Sequence, residues 1–195
     1  MKWFVLALAT LFVLTAAASA EDKKPVGPVT LKIVPKKEKY KFDGGGKTPD
    51  EYKKSLTETA AKMETGERVT PPKAVPVDFV LQLTNTSKED VTIYVGGDTN
   101  IYTFELSGGA GVVTMKNAVA FTADFRLPTA VTLAPTKSHE IAVKQLTDGT
   151  RGASRLVFWT GPGEYTLKTK YTLSDKDGGK GTSLTSEPVK ITVEK

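Results

Sequence analysis

From Val77 to the C-terminus, the sequence is a series of short segments in which apolar and polar residues alternate, separated by turns rich in Gly, Pro, Asn or Asp. Alternation with a period of two places one row of side chains on each face of a β-strand. In VDFVLQL, for example, the apolar row is Val77, Phe79, Leu81 and Leu83. Related patterns occur in VTLKIVP, VTIYV, IYTFEL, VVTM, AVAFTADFRLP, AVTLAP, HEIAVK, SRLVFW, EYTLKTKYTL and EPVKITV. We therefore predict a mainly β fold, an antiparallel β-sandwich that forms one domain over residues 29–195.

One stretch departs from this alternation and predicts a helix. Its apolar residues recur at spacings of four, four and three, which places them on one helical face: Tyr52, Leu56, Ala60 and Met63. Gly66 follows this stripe and is well placed to end a helix. We predict one α-helix over about residues 49–64, within an insertion that spans residues 48–66.

The helix is preceded by Gly46-Lys47-Thr48, which looks like the end of a phosphate-binding P-loop. A P-loop requires a glycine five residues before Gly46, and Lys41 occupies that position. Thr48 and Glu51 instead have the spacing of a capping box, in which both side chains accept backbone N–H groups at the start of a helix. We interpret the segment as a glycine turn that leads into a capped helix, and we expect no bound nucleotide.

The N-terminus has the features of a secretory signal peptide. A short basic start is followed by a long uncharged apolar run, and the small residues ASA, which end at Ala20, precede the charged segment EDKK. We predict cleavage near Ala20, which would remove residues 1–20 and leave residues 21–28 as a flexible leader. The protein would then be exported to the periplasm, the cell envelope or the exterior. After cleavage, we expect no transmembrane segment.

The composition argues against several classes of site. The chain has no cysteine and only one histidine, His139, which removes most zinc, copper and iron–sulfur sites. Its formal net charge is +5, with 27 basic and 22 acidic residues interleaved, and the densest basic group is PKKEKYK at residues 35–41. A nucleic-acid site would cluster basic residues with aromatic residues on one element; because the lysines occur along most of the chain among acids, we interpret them as a solvated surface and expect no nucleic-acid partner. We also expect no cofactor. Such a charge favours weak attraction to an anionic cell envelope.

Two loops contain side chains that are able to bind a cation. In GGDTN these are Asp98 and Asn100, although an Asx-type turn is the simpler interpretation. In SDKDGGKG the spacing does not fit an EF-hand, and Asp177-Gly178 is typical of a hairpin turn.

Trp159 and Arg151 complete a predicted partner surface with Asp98 and Asn100. Trp159 is adjacent to Phe158 in LVFWT, and neighbouring strand residues face opposite ways, so we expect one ring in the core and the other nearer the surface. An exposed aromatic ring would mark a carbohydrate or protein contact. We favour the simpler interpretation that the helix or a long loop covers it. Arg151 has no recognisable partner in the sequence.

Four segments together suggest a family: FVLQLTNTSKEDVTIYV, YTFEL, VTLAPTKSHEI and the PGEYTL that follows Trp159. Over residues 77–193 the chain resembles the BsuPI-type proteinase-inhibitor family and other secreted bacterial immunoglobulin-like domains. The resemblance implies an immunoglobulin-like sandwich in which Tyr165 packs at a corner between the sheets. The chain departs from the family pattern L-x-P-G at Thr136, which stands in place of the glycine.

These observations lead to one functional hypothesis and two alternatives. We expect an exported, non-enzymatic β-sandwich module that binds a protein or an envelope component. The resemblance adds a proteinase inhibitor that would act through an exposed loop, either residues 96–100 or residues 147–154. The third hypothesis is a hydrolase that uses two carboxylates in one cleft, since Asp and Glu are abundant.

Overall fold

A computed structural model describes residues 27–117, 124–150 and 153–195. The predicted signal peptide and residues 21–26 of the predicted leader lie outside the described residues. The single helix is α1 (Pro49–Glu64). The strands are β1 (Val29–Pro35), β2 (Lys39–Lys41), β3 (Pro76–Asn85), β4 (Val91–Val95), β5 (Ile101–Gly108), β6 (Val112–Lys116), β7 (Thr129–Leu133), β8 (Ser138–Gln145), β9 (Thr147–Thr150), β10 (Ala153–Trp159), β11 (Gly163–Ser174), β12 (Lys180–Thr185) and β13 (Val189–Glu194).

The strands form two sheets. The smaller sheet has the order β1-β3-β8, and the main path of the larger sheet is β2-β13-β11-β5-β9-β10-β6. β12 and β4 pair with β11, and β7 pairs with β4. All pairings are antiparallel except that of β2 with β13, which is parallel. The described chain is thus a mainly β sandwich with one helix, which confirms the predicted fold class.

The core lies between the two sheets and is built from the apolar rows that the alternation predicts. In the smaller sheet, Leu81 and Leu83 are fully buried, and Ile33 is 1% exposed. The rings of Phe79 from β3 and Phe104 from β5 meet edge to face with centroids 5.6 Å apart, which joins the sheets directly. The inward residues of each sheet therefore cover those of the other.

Three local features differ from the sequence prediction. β9 occupies residues 147–150, where the sequence TDGT predicts a loop, and β12 forms from a segment without a clear alternation. Residues 124–128 contain no strand, although they belong to the alternating segment AVAFTADFRLP; residues 118–123 of that segment lie outside the described residues. The alternation of apolar residues therefore predicts the long central strands, but it does not predict the short strands β9 and β12.

Helix α1 has the predicted boundaries because both of its ends are capped. The Glu51 N–H donates to Thr48 Oγ1 at 3.4 Å, and the Thr48 N–H donates to Glu51 Oε2 at 2.9 Å, which completes the capping box. At the other end, Gly66 has a φ of +83° and its N–H donates to the Met63 carbonyl, while the Glu67 N–H donates to the Lys62 carbonyl. This is a Schellman motif, which needs a residue with positive φ at the position of Gly66.

The apolar stripe of α1 packs on the sandwich. Leu56 is 1% exposed, and Tyr52, Ala60 and Met63 are partly buried against the core. The helix contacts β6, the last strand on the main path of the larger sheet. Burying this stripe stabilises the helix more than its intrinsic propensity does.

Tyr165 forms the corner that the family resemblance implies. Its side chain is 1% exposed, and its hydroxyl donates to the Gly161 carbonyl four residues earlier at 2.8 Å. The Ala110 N–H donates to the same hydroxyl at 3.2 Å. Gly109 permits this close approach, because a Cβ there would lie 2.2 Å from Cζ of Tyr165. The corner fixes the loop before β11 against the loop between β5 and β6.

Asp148 on β9 is a buried carboxylate that connects three strands of the larger sheet. Its side chain has no exposed surface. Arg155 on β10 donates to it from Nε at 2.9 Å and from Nη2 at 2.7 Å, and the backbone N–H of Phe104 on β5 donates to Oδ2. The regular register between β5 and β9 is limited to the pair Tyr102 and Gly149. The Asp148 carboxylate therefore adds the contact that this short pairing lacks.

Thr136 has an unfavourable backbone conformation for its side chain. Its φ is +66°, in the left-handed region that β-branched residues avoid. It follows Pro135 in a turn closed by a hydrogen bond from the Lys137 N–H to the Ala134 carbonyl at 3.0 Å. This is the arrangement of a type II turn, which favours glycine at the third position. The glycine of the family pattern would suit this position, and Thr136 occupies it with strain.

We expect Arg155→Met to lower the free energy of unfolding by about 3 kcal/mol, because it leaves the buried Asp148 carboxylate without its cation. Arg68→Met, at an exposed position after α1, is the matched control and should change stability by less than about 0.5 kcal/mol. Urea denaturation followed by circular dichroism measures both. An Arg155→Met variant as stable as the control would show that the pair does not hold β9.

We expect Thr136→Gly to stabilise the protein by about 1 kcal/mol. Left-handed strain at a non-glycine residue costs about 1–3 kcal/mol, and this exceeds the entropic cost of glycine, about 0.5–1 kcal/mol. Thr166→Gly in β11, which is paired on both sides, should instead destabilise the protein. Loss of stability in both variants would contradict the assignment of strain to Thr136.

Candidate functional site

A cleft of about 580 Å³ lies beside helix α1, at the end of the sandwich that contains the Tyr165 corner. Its size is that of a small-ligand site. Helix α1, the segment after β2 and the proline-rich residues 71–76 surround it. The end of β8, the start of β9 and strand β10 also contribute lining residues. Its lining residues are Lys41, Asp43, Tyr52, Pro71, Pro72, Lys73, Ala74, Val75, Pro76, Asn117, Gln145, Thr147, Leu156 and Trp159.

The floor of the cleft forms where the chain crosses from one sheet to the other. Gln145 ends β8 in the smaller sheet, and Thr147 begins β9 in the larger one, with only the fully buried Leu146 between them. The Leu146 N–H donates to the Val75 carbonyl, and the Val157 N–H donates to the Leu146 carbonyl, each at 2.9 Å. These bonds fix residue 75 of the proline-rich segment, the crossing point and β10 relative to one another.

Aromatic residues form two groups near the cleft. Tyr40 and Tyr165 contact Trp159 with ring centroids 5.4 Å and 6.2 Å away, respectively. Tyr52 from α1 meets Phe42 edge to face at 5.5 Å. Partial burial, and then the negative charge of Asp43, raise the pKa of Tyr52 above its ordinary value. Tyr52 therefore remains a neutral hydroxyl donor at physiological pH.

Several polar groups at or near the cleft have no hydrogen-bond partner among the described residues. The Thr147 Oγ1 and Ser154 Oγ atoms are buried without a hydrogen bond. The backbone carbonyl of Ser154 accepts the N–H of Asn117, which places Ser154 next to a lining residue of the cleft. The indole N–H of Trp159 also donates to no acceptor in the described part of the chain. The side-chain amides of Asn117 and Gln145 form no hydrogen bond with the described residues either. Only Thr147 Oγ1 and Ser154 Oγ are closed to solvent; Gln145 is exposed and Asn117 is half-buried, so their amides are accessible to a bound molecule.

The charges of the cleft lie on exposed side chains. Lys41 and Lys73 contribute two positive charges, and Asp43 is the only carboxylate among the described lining residues. Asp43 also accepts the N–H of Gly45 at 3.0 Å, which begins the glycine turn before α1. The cleft thus combines aromatic, amide and hydroxyl groups with an excess of positive charge.

Asp98 and Asn100 hold their loop together. Asn100 accepts the Gly97 N–H at 2.8 Å and donates to the Tyr94 carbonyl at 2.9 Å, and Ser174 Oγ donates to its Oδ1 at 3.1 Å. Asp98 Oδ2 accepts the N–H of Arg126 at 2.9 Å. These contacts engage side-chain oxygen atoms of both residues within the protein, but none of them is the hydrogen bond to the second following N–H that defines an Asx turn.

Trp159 is buried, and it does not lie with Asp98 and Asn100. It is 3% exposed and Phe158 is fully buried, so the expectation that one ring would be nearer the surface was wrong. The reason is that the end of β10 is covered on both faces. Trp159 contacts Tyr165 at the start of β11, whereas Asn100 contacts Ser174 at its end. Arg151 lies outside the described residues, so the predicted partner surface is not assembled by the residues that the structure describes.

The cation-site hypothesis for residues 174–181 gives way to a hairpin. The Asp175 side chain accepts the N–H groups of Asp177 and Gly179 at 2.9 Å and 2.7 Å, and Gly178 has a φ of +83°. These contacts form the turn between β11 and β12. Within residues 27–117, 124–150 and 153–195, no group of three or more His, Asp or Glu side chains is arranged to hold a metal ion. No helix of the described chain has the length and apolarity to cross a bilayer.

A second depression of about 510 Å³ opens between the two sheets near His139. Tyr102 and Tyr171 line it, with their rings stacked at 6.3 Å. Tyr171 is 2% exposed, and its burial, followed by the proximity of Tyr102, raises its pKa to about 12. This depression has neither the unpartnered buried hydroxyl nor the amide pair of the cleft, which makes the cleft the stronger candidate.

Comparisons with other proteins do not add to this geometry. No family model, curated protein or solved structure matches the chain. The resemblance to BsuPI-type inhibitors stays a prediction. The functional argument therefore rests on the cleft.

Tyr171 predicts how stability depends on alkaline pH. Because its folded pKa is about 12 and its unfolded pKa is about 10, its contribution is complete below pH ~10 and is lost as the pH rises towards ~12. The expected loss is about 2–3 kcal/mol. Urea denaturation at several alkaline pH values should show a shallower decline for Tyr171→Phe than for the wild type, and parallel curves would contradict the burial effect.

Proposed function

We propose that the protein is an exported, non-enzymatic β-sandwich module that binds a carbohydrate of the cell envelope in the cleft beside α1. The observation that carries the proposal is the group of polar side chains that line the cleft without a hydrogen-bond partner among the described residues, namely the Trp159 indole and the amides of Asn117 and Gln145. The predicted signal peptide supports an extracytoplasmic location for this binding.

The chemistry of these groups matches that of a sugar. Side-chain amides offer both donors and acceptors, which suits the hydroxyl groups of a saccharide. Tyr52 adds a partly exposed ring with a hydroxyl group, an amphipathic surface for the C–H face and oxygen atoms of a sugar ring. Trp159 is mostly enclosed, so its role would be the donation of one hydrogen bond rather than stacking.

The position of the cleft suits binding without large rearrangement. Two ordered backbone bonds at Leu146 fix its floor, and the capping box of α1 fixes the wall that contains Tyr52. A preformed site avoids much of the entropic cost of ordering side chains during binding. The charged lining residues Lys41, Asp43 and Lys73 are exposed, as expected for the rim of an open site.

Isothermal titration calorimetry with a panel of neutral and acidic oligosaccharides tests the proposal. We expect at least one glycan to bind, and we expect Asn117→Ala/Gln145→Ala to weaken its binding about tenfold or more, since each lost hydrogen bond costs about 0.5–1.5 kcal/mol. Binding should also change the fluorescence of Trp159, because this residue lines the cleft. The signal can be assigned to Trp159, since the other tryptophan lies in the predicted signal peptide.

Gln82→Ala is the matched control. It removes an amide on β3 that donates to Glu140 at 3.3 Å, away from the cleft lining. The control should bind the glycan as the wild type does. If no glycan gives a heat of binding or a change in fluorescence at millimolar concentration, or if the control loses affinity equally, the cleft is not a carbohydrate site.

A further inference from the structure

A smaller depression of about 340 Å³ extends the cleft along β2. Its lining residues are Lys37, Lys39, Tyr40, Lys41, Pro76, Val77 and Asp78. Lys41 and Pro76 line both spaces, so the two are neighbours on one surface. We call the cleft and this smaller depression together the combined surface.

Positive charge dominates the combined surface. The lysines that line it are Lys37, Lys39, Lys41 and Lys73, against the two carboxylates Asp43 and Asp78. All four lysines are exposed. Neighbouring lysines create a positive electrostatic potential, and this potential attracts a polyanion.

Two carboxylates near this surface, Asp78 and Glu194, already have cationic partners. Lys144 Nζ lies 2.6 Å from Asp78 Oδ1, and Lys39 Nζ lies 2.7 Å from Glu194 Oε1. The hydrogen bond from Lys144, with further attraction from Lys37 and Lys36, lowers the pKa of Asp78. Lys41 and Lys73 form no ion pair with the described residues. Lys144 thus engages Asp78 and Glu194 offsets Lys39, so the excess positive charge of the surface comes from Lys37, Lys41 and Lys73 against Asp43.

We propose that the ligand of the cleft is an acidic polysaccharide, with one sugar in the cleft and the carboxylate groups of neighbouring sugars along Lys37, Lys41 and Lys73. This inference rests on the proposed function and adds the class of glycan. A polymer is favoured over a single acidic sugar because the lysines continue beyond the cleft into the smaller depression along β2. Carboxylates in open solvent gain modest, salt-sensitive energy from each lysine, so several contacts are needed for useful affinity.

The experiment compares three probes on the purified protein: oligogalacturonate, a neutral galactan oligosaccharide of equal length, and polyglutamate. We expect oligogalacturonate to bind more than about tenfold more tightly than the neutral glycan at about 0.05 M salt, and this advantage to shrink at about 0.5 M salt. Polyglutamate should bind weakly, because it has the charge without the sugar. Equal binding of polyglutamate and oligogalacturonate would overturn the assignment to a saccharide.

The charge contacts are tested by Lys37→Gln/Lys41→Gln/Lys73→Gln, which should weaken oligogalacturonate binding about tenfold and leave the neutral glycan unaffected. The matched control is Lys88→Gln/Lys137→Gln/Lys176→Gln. It removes the same charge from exposed turns at the other end of β3 and β11. Equal losses in the two triple variants would show that net charge alone is responsible.

The two proposals fail in different ways. If the neutral glycan binds as tightly as oligogalacturonate, and Asn117→Ala/Gln145→Ala abolishes both, the carbohydrate site stands and the acidic ligand is wrong. If none of the three probes binds and no other glycan does, the proposed function itself is wrong. Circular dichroism of each variant establishes that a loss of binding is not a loss of fold.

Discussion

The buried carboxylate of Asp148 holds the larger sheet together at its narrowest point. The strands β9, β10 and β6, which carry Thr147 and Trp159 and support helix α1, join β5 by a register of one residue pair. Asp148 strengthens this junction because it accepts from the Phe104 N–H and from two nitrogens of Arg155. Its desolvation is costly, and the bidentate arginine and the backbone donor offset that cost. The position of the cleft therefore depends on an ion pair rather than on a long strand ladder.

The helix and the proline-rich segment convert the open end of the sandwich into a cleft. α1 covers the core with Leu56 and places Tyr52 at the opening. Residues 71–76 cross in front of β10, where prolines restrict the backbone, and the Val75 carbonyl holds the segment to Leu146. The one helix of the described chain thus has a structural role that also shapes the candidate site.

The parts of the fold that local chemistry determines could be predicted from the sequence. Thr48, Glu51 and Gly66 define the helix because their interactions reach only a few residues, and the apolar rows of β3 and β11 follow from their period. The cleft could not be predicted in this way. Gln145 ends β8, Trp159 ends β10 and Asn117 directly follows β6, so these residues meet only through the pairing of strands and the packing of the sheets. Asp148 reads as a turn residue in TDGT, and only the proximity of Arg155 in the hairpin makes it a buried charge.

The energetic argument for a ligand comes from what the cleft leaves unsatisfied. Each buried polar group without a partner costs about 1–3 kcal/mol, while a domain is typically stable by only about 5–15 kcal/mol. Thr147 Oγ1 and Ser154 Oγ are such groups, but neither atom is open to the cleft and Ser154 does not line it, so the case for a ligand rests on the accessible groups. A single ordered water needs two to four polar partners, and the cleft is large enough for a much larger molecule. A hydroxyl-rich ligand would pair with the amides of Asn117 and Gln145 and with the indole N–H in a single binding event, which supports the proposal that this cleft is the binding site.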